Sequence, residues 1–108
     1  MKNAKTKKKV YLVIMLYSTN DCDGLDTKCF DTYKKAIRSF NKLVKNQKNP
    51  DSSWLENAFE DNVLQDDYKM DCSPKYTDGL EHELWWELIQ KEDWNLHTFI
   101  ELRILEIQ

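Results

Sequence analysis

The sequence predicts an α+β fold with the element order β-α-α-β-β, in which two helices cover one face of a three-stranded, mostly antiparallel sheet. Three patterns indicate this fold: an apolar run at 10–17, apolar residues at helical spacing after Asp31, and alternating residues in the last quarter of the chain. Because 108 residues is the size of one domain, we expect a flexible basic tail at 1–9 and a single domain at 10–108.

The first strand and the first helix have the clearest patterns. The run from Val10 to Tyr17 is apolar on both alternating faces, which favours an interior strand, and the polar segment from Ser18 to Lys28 is expected to form a loop. Asp31 is expected to cap a helix that begins at Thr32. Apolar residues then recur three and four positions apart, as in an amphipathic helix: Tyr33, Ala36, Ile37, Phe40, Leu43 and Val44.

The second half of the chain predicts a shorter helix and a hairpin. Ser53 and Glu56 match a capping box, which predicts a helix from Ser53 that buries Trp54. Residues 66–80 are expected to form a long loop, with a short extended piece at 68–70. Alternation over 82–91 and 96–107 predicts two strands joined by a turn at 92–95. A helix over 80–92 is the alternative, because apolar residues there also recur at i, i+4.

Charge is unevenly distributed along the chain, although the net charge is only −3. Residues 1–50 hold 12 Lys and Arg against 4 Asp and Glu, whereas residues 51–93 hold 3 Lys against 13 Asp and Glu. Acidic groups attract cationic surfaces, and Trp and Tyr are common at the centres of protein interfaces. The acidic half of the sequence therefore predicts a partner-binding surface.

We predict a non-enzymatic protein-binding module whose partner is a basic protein surface, such as that of a nucleic-acid enzyme. The predicted surface combines acidic and aromatic side chains from the acidic half: Glu60, Asp61, Asp66, Asp67, Tyr68, Asp71, Tyr76, Asp78, Glu81, Glu83, Trp85 and Trp94. The turn position of Trp94 and the outer-face position of Trp85 predict that at least one of these indoles is exposed.

Two alternatives use other parts of the chain. A nucleic-acid-binding protein would contact phosphates through the tail and the first helix. The residues concerned are Lys7, Lys8, Lys9, Lys34, Lys35, Arg38 and Lys42. The negative net charge and the lack of a nucleic-acid-binding motif argue against it. A homodimeric structural protein would instead associate through its exposed aromatic residues and the C-terminal hairpin.

Catalytic, metal and cofactor chemistry have little support in the sequence. The segment 19–27 resembles the start of a calcium loop, with Asp21 and Asp23 before Gly24, but Phe30 occupies the position where such a loop needs a bidentate Glu. An ordinary Asx/Gly turn is therefore expected. No CxxC or HxxxH pair indicates zinc, and no carboxylate pair stands out as an acid and a base. We therefore expect no catalytic residues, no metal and no cofactor.

The cysteines and the apolar run predict the location of the protein. Cys22, Cys29 and Cys72 are an odd number, which favours free thiols in a reducing compartment. The apolar run at 10–17 is far shorter than the roughly 20 residues that cross a bilayer, and it lacks the features of a signal peptide. We therefore expect a cytoplasmic protein without a membrane partner.

The organisation of the chain resembles that of small proteins of bacteriophages and mobile elements. The resemblance rests on the strand at 10–17, the segment 30–37 that opens a helix, and the closing hairpin at 86–107. Many such proteins inhibit host defence, including anti-CRISPR proteins, some of which carry acidic surfaces that mimic DNA. The resemblance implies an inhibitor that acts on a host defence nuclease in the cytoplasm of the host cell.

Overall fold

The computed structural model describes residues 8–19 and 22–107, and within them the fold is mainly β rather than α+β. The predicted three-stranded sheet with two helices is wrong. The described chain has a five-stranded antiparallel sheet of order β2-β1-β7-β6-β5, a two-stranded β3-β4 sheet, and one helix. The elements are β1 Lys8–Ser18, β2 Asp23–Phe30, α1 Tyr33–Gln47, β3 Phe59–Glu60, β4 Val63–Leu64, β5 Tyr68–Cys72, β6 Leu84–Gln90 and β7 Asp93–Ile107.

The centre of the sheet is the long antiparallel pair of β1 and β7. The eleven residues of β1 all pair with β7, and Val13 lies opposite Leu102. Successive side chains of a strand point to opposite faces. Val13 and its alternating neighbours on β1 are buried beneath α1, and Leu102 joins them in the same hydrophobic core. Apolar side chains at every second position of two adjacent strands thus form the floor of the core.

The helix α1 covers this floor with its apolar side. Ala36 and Phe40 are buried in the core, as the helical spacing predicts. Thr32 caps the helix, because its side-chain oxygen accepts a hydrogen bond of 3.2 Å from the backbone N–H of Lys35. The expected cap, Asp31, instead pairs through Oδ1 with Nζ of Lys35 at 3.0 Å. At 15 residues, and with charged side chains along its outer side, α1 is not a helix that could span a membrane, and the described residues form no other helix.

The predicted second helix at Ser53 does not form. The amide oxygen of the buried Gln47 side chain accepts the backbone N–H of Trp54 at 3.1 Å, which attaches the segment to the end of α1. Ser53 Oγ accepts the N–H of Leu55 at 3.0 Å, in a local turn rather than a capping box. Side-chain bonds of this kind stabilise turns as an alternative to a helix.

Two strands occupy segments that the sequence predicts to be loops. Most of the expected loop 18–28 belongs to β2, and β5 takes up part of the expected loop 66–80. The expected C-terminal hairpin is present as β6 and β7, and its first arm is a strand rather than a helix. The difference from the predicted fold therefore consists of one lost helix and the added strands.

The turn end of β2 is held by aromatic stacking. The rings of Tyr17 and Trp54 are parallel, with centroids 4.0 Å apart and 5° between their planes. Tyr17 lies directly opposite Gly24, and its ring occupies the space that a Cβ atom on Gly24 would need. Any larger residue at this position would therefore require the Tyr17 ring to move.

Candidate partner-binding surface

The face of the five-stranded sheet opposite α1, here called the open face, has no covering layer among the described residues. Because side chains alternate along a strand, the residues of each strand that alternate with the core residues have their side chains on this face. Its apolar members are Val10, Leu12, Ile14, Leu16, Leu25, Trp85, Ile89, Phe99, Leu105 and Ile107. None of them belongs to the core cluster or packs against it.

Several of these apolar side chains are strongly exposed. Leu16 is 40% exposed, Leu25 60% and Ile107 50%. The rings of Trp85 and Phe99, on neighbouring strands, lie 6.4 Å apart with 21° between their planes. One face of an antiparallel sheet is commonly solvated, but it then carries mainly polar residues. Charged side chains also lie on the open face, but exposed apolar side chains grouped on one face are typical of a surface that binds another protein.

Carboxylates lie beside the aromatic residues on the open face. Asp71 of β5 lies directly opposite Glu87 of β6, which in turn lies opposite Phe99 of β7. Glu101 of β7 is the cross-strand neighbour of Trp85. Like charges directly opposite each other in a sheet are unfavourable. A cationic group placed between Asp71 and Glu87 would remove that repulsion.

The structure distributes the predicted acidic and aromatic residues over three regions. Only Asp71 and Trp85 of the predicted set belong to the open face. One group lies at the upper end of the sheet, where β1 ends and β7 begins, or in the β3–β4 hairpin, which contacts β5: Glu60, Asp61, Asp66, Asp67, Tyr68 and Trp94. A second group lies at or beside the lower end, where β1 begins: Tyr76, Asp78, Glu81 and Glu83.

At the upper end, an exposed indole lies close to acidic residues. Trp94 is 81% exposed at the start of β7. The backbone N–H of Lys91 donates to the carbonyl of Asp67 at 2.8 Å, which brings the β6–β7 turn beside the segment that leads into β5. Tyr68, by contrast, is half-buried and packs against the core. Its pKa is raised, chiefly because burial disfavours the charged phenolate.

At the lower end, hydrogen bonds attach the segment 76–83 to β1 and α1. The Tyr11 hydroxyl donates to Glu81 Oε1 at 2.7 Å, and this bond is the main cause that raises the pKa of Tyr11 to about 12. The Tyr33 hydroxyl donates to the carbonyl of His82 at 2.9 Å. Lys9 Nζ lies 3.8 Å from Glu81 Oε1. Glu81 therefore supports the fold besides carrying charge.

The side chain of His82 lies between two groups of the same segment. Its Nε2 is 2.8 Å from Asp78 Oδ2, and its ring stacks on Tyr76 with centroids 3.7 Å apart. The pKa of Asp78 is lowered, first by the N–H of Leu80 and second by His82. These contacts order the segment internally.

The exposed basic residues lie mostly on the other side of the molecule. The predicted cations of α1 occupy its outer surface, opposite the sheet: Lys34, Lys35, Arg38 and Lys42. Lys8 and Lys9 begin β1, where Lys9 pairs with Glu81, and Lys7 lies outside the described residues, as do Asn20 and Asp21. The helix layer therefore presents mainly cations, whereas the open face combines apolar side chains with charges of both signs, since Lys69 and Arg103 also lie on it.

A groove of about 590 Å³ lies between α1 and the segment 72–80. Ile37, Phe40 and Leu84 contribute apolar walls, and Lys48 and Lys75 are its charged lining residues. The groove is on the helix side of the sheet. It is therefore separate from the open face.

The remaining predicted chemistry concerns metals and thiols. Within residues 8–19 and 22–107, no three His, Cys, Asp or Glu side chains come close enough to hold a metal ion. Cys22, Cys29 and Cys72 are unpaired and exposed. Oxidation could therefore reach all three thiols.

Sequence reasoning missed most of the open face. The residues it did not select are the apolar side chains of β1 and β2, together with Phe99, Glu87 and Glu101. The signal was present in β1, whose sequence is apolar on both alternating faces. That pattern predicted an interior strand, as observed, but it does not reveal whether a second layer covers the other face.

No family model matches this chain, and no curated protein or solved structure is significantly similar to it.

Proposed function

We propose that this chain is a non-enzymatic protein-binding module that binds a partner through the open face. The observation that carries the proposal is the uncovered apolar face itself, from which Leu16 and Leu25 are exposed. Burial of apolar area contributes roughly 25 cal/mol per Å², so covering this face would supply favourable free energy of association.

The charges beside the apolar residues indicate the chemistry of the partner. Asp71 and Glu87 are directly opposed and lie next to the Trp85–Phe99 pair. An arginine or lysine of the partner would bind between the two carboxylates, while its apolar neighbours would cover the rings. A basic protein surface with interspersed apolar side chains fits this arrangement, and a nuclease surface that binds nucleic acid is one example.

Binding of a labelled peptide that alternates arginine and leucine tests this assignment. We expect the double variant D71K/E87K to weaken binding at least about tenfold, equivalent to about 1.4 kcal/mol, because it replaces both opposed carboxylates with repelling cations. L16S is expected to weaken binding as well, because it removes exposed apolar area. Fluorescence anisotropy at several salt concentrations gives the affinities.

The matched control is E56K/E60K, which makes the same change of charge at exposed positions away from the open face. It is expected to keep an affinity close to that of the wild type. If both double variants lose affinity equally, only the net charge matters, and the open face is not the binding surface.

A further inference from the structure

The strand β2 is an edge of the five-stranded sheet and has no neighbour on its outer side among the described residues. It is eight residues long, and nearly all of its side chains are exposed. The helix α1 contacts β7 and β1 more than β2, so it leaves this edge accessible. An uncovered edge strand of this length is a template for pairing with another strand.

The other edge of the sheet, β5, is less accessible. It has five residues, β4 contacts it, and the backbone N–H of Cys72 is already bonded to Asp71 Oδ1 at 2.9 Å. Pairing by strand addition is therefore expected at β2 rather than at β5.

The hydrogen bonds of the β1–β2 hairpin show which groups of β2 face outward. The N–H of Thr19 donates to the carbonyl of Cys22 at 2.9 Å, in the same register as the rest of the pair. Hydrogen-bonded pairs alternate along antiparallel strands. Even-numbered residues of β2 therefore bond to β1, and Leu25, Thr27 and Cys29 direct their backbone groups to the free edge.

The side chains of β2 are complementary to themselves about Thr27. If a second copy pairs antiparallel with a two-fold axis at Thr27, Asp26 lies opposite Lys28 of that copy, and Lys28 lies opposite its Asp26. Leu25 then faces Cys29, and the small Gly24 faces the large Phe30. Opposite charges, apolar pairs and Thr–Thr pairs across strands are each favourable by about 0.2–1 kcal/mol.

Antiparallel pairings with the two-fold axis one residue away from Thr27 are unfavourable. A two-fold axis at Asp26 places the two Asp26 carboxylates opposite each other, and an axis at Lys28 does the same with the two ammonium groups. Like charges directly opposite are destabilising. Among these three axes, the charge pattern therefore selects the one at Thr27.

We propose that β2 pairs with β2 of a second copy of this chain in that register, which forms a homodimer with a ten-stranded sheet. The two-fold axis is then perpendicular to the sheet, so both copies have their helices on one side and their open faces on the other. The two open faces become one continuous surface. This inference goes beyond the proposed function, because a monomer could also bind a partner through its open face.

Charge-swap variants test the register. Sedimentation equilibrium of the full chain under reducing conditions is expected to show a dimer for the wild type. Protein concentrations up to about 200 μM are used, so that a dimer with a dissociation constant on the order of 100 μM is still detected. D26K and K28D are each expected to shift the protein to monomer, because each variant places two like-charged pairs in the dimer. The double variant D26K/K28D is expected to dimerise again.

A mixture of the two single variants provides a second readout. D26K supplies two lysines and K28D two aspartates, so every cross-strand charge pair in the mixed dimer is attractive. We expect a heterodimer from two proteins that are each monomeric alone. K34D, on the outer surface of α1, changes charge as K28D does and is expected to leave the dimer intact.

A disulfide at the axis tests the same register independently. With the three native cysteines replaced by serine, T27C is expected to form an intermolecular disulfide, because hydrogen-bonded partners have Cα atoms about 5.5 Å apart. L25C is the control. In this register residue 25 lies opposite residue 29 of the other copy, so the two introduced thiols are too far apart to form a disulfide.

Three results would overturn the proposal. A wild-type chain that is monomeric throughout the concentration range has no such interface. A dimer that D26K and K28D leave unchanged uses another surface. This register is ruled out if D26K and K28D are monomeric and folded by circular dichroism, but neither the double variant nor the mixture of the two forms a dimer. A wild-type chain that dimerises in this register but does not bind the arginine–leucine peptide would contradict only the proposed function.

Discussion

At the scale of single residues, the hydroxyl of Thr98 is buried without a partner. Thr98 is fully buried in β7, opposite Tyr17, and within the described chain its Oγ1 has no hydrogen-bond partner. A buried polar group without a partner costs about 1–3 kcal/mol. The same situation applies to Nε1 of Trp86, whose ring is nevertheless needed to fill the core.

We predict that T98V raises the free energy of unfolding by about 1 kcal/mol, because valine has a similar shape and removes the unsatisfied hydroxyl. Urea denaturation measures the change. T77V, the same substitution at an exposed position, is expected to change stability by less than about 0.5 kcal/mol. A destabilised T98V would mean that the hydroxyl is bonded in solution.

At the scale of elements, the carboxylate of Glu83 attaches the start of β6 to β7. Its Oε2 accepts the N–H of Ile104 at 2.9 Å and Nε of Arg103 at 3.1 Å. The N–H of Ile104, and to a smaller extent Arg103, lower the pKa of Glu83 in the folded protein. The ionised form therefore stabilises the fold above the unfolded-state pKa, and this stabilisation is lost as the pH falls through the folded-state pKa.

We predict that E83Q lowers the melting temperature at pH 7 and that the difference from the wild type shrinks as the pH falls through the folded-state pKa of Glu83. Thermal denaturation from pH 2 to pH 7 gives the comparison. E92Q, at an exposed position of the β6–β7 turn, is expected to change the melting temperature little at any pH. A constant deficit of E83Q across this range would exclude the carboxylate as its cause.

The elements also show what sequence patterns can and cannot reveal. The strand β1, the helix α1 and the final hairpin have strong periodic patterns, and the structure contains each of them. The strand β2 has a polar sequence, because neither of its faces is fully covered, and only its pairing with β1 makes it a strand. Local propensity cannot detect such a tertiary contact.

The predicted second helix was wrong because the same residue types can form a different local structure. Ser53 hydrogen-bonds within a turn, and the Gln47 side chain holds the backbone of Trp54 at the end of α1, so the segment continues as turns rather than as a helix. The turn that follows did have a signal: Asp61 and Asn62 have φ values of 50° and 68°, as in the tight turns that join hairpin strands. Asp and Asn adopt that conformation more readily than most residues.

At the scale of the whole molecule, the sheet determines where the protein is most stable. β7 is paired on both sides and contributes the fully buried Ile100 and Leu102, whereas β2 and β5 are edges. Local opening requires less free energy where fewer apolar contacts and hydrogen bonds must break. The stability of the fold should therefore decrease from the centre of the sheet to its edges.

We predict that amide hydrogen exchange is slowest at the centre of β7 and in the parts of β1 and β6 paired with it. The amides of β2 that bond to β1 are expected to exchange faster, and the outward amides of Leu25 and Thr27 fastest in a monomer. Exchange followed by NMR measures these rates. Equal protection of β2 and β7 in a monomeric sample would contradict this order.

The open face and the two edges could be predicted only in part, because they depend on which elements become neighbours. The charge asymmetry of the sequence is real, but folding divides the acidic segment between two ends of the sheet and the open face. No pattern along the chain reveals that Asp71 of β5 and Glu87 of β6 lie opposite each other on adjacent strands. The cations of α1, in contrast, lie on one side because helical periodicity alone places them there.

Two exposed thiols mark the opposite margins of the sheet, Cys29 on β2 and Cys72 on β5. Four inter-strand spacings separate these strands, or about 19 Å. With Cys22 replaced, the distance between spin labels on the remaining two thiols would therefore measure the width of the sheet in the monomer. If two copies join through β2, the two outer labels would be nine spacings apart, about 43 Å on an untwisted sheet, and one distance distribution would distinguish the two assemblies.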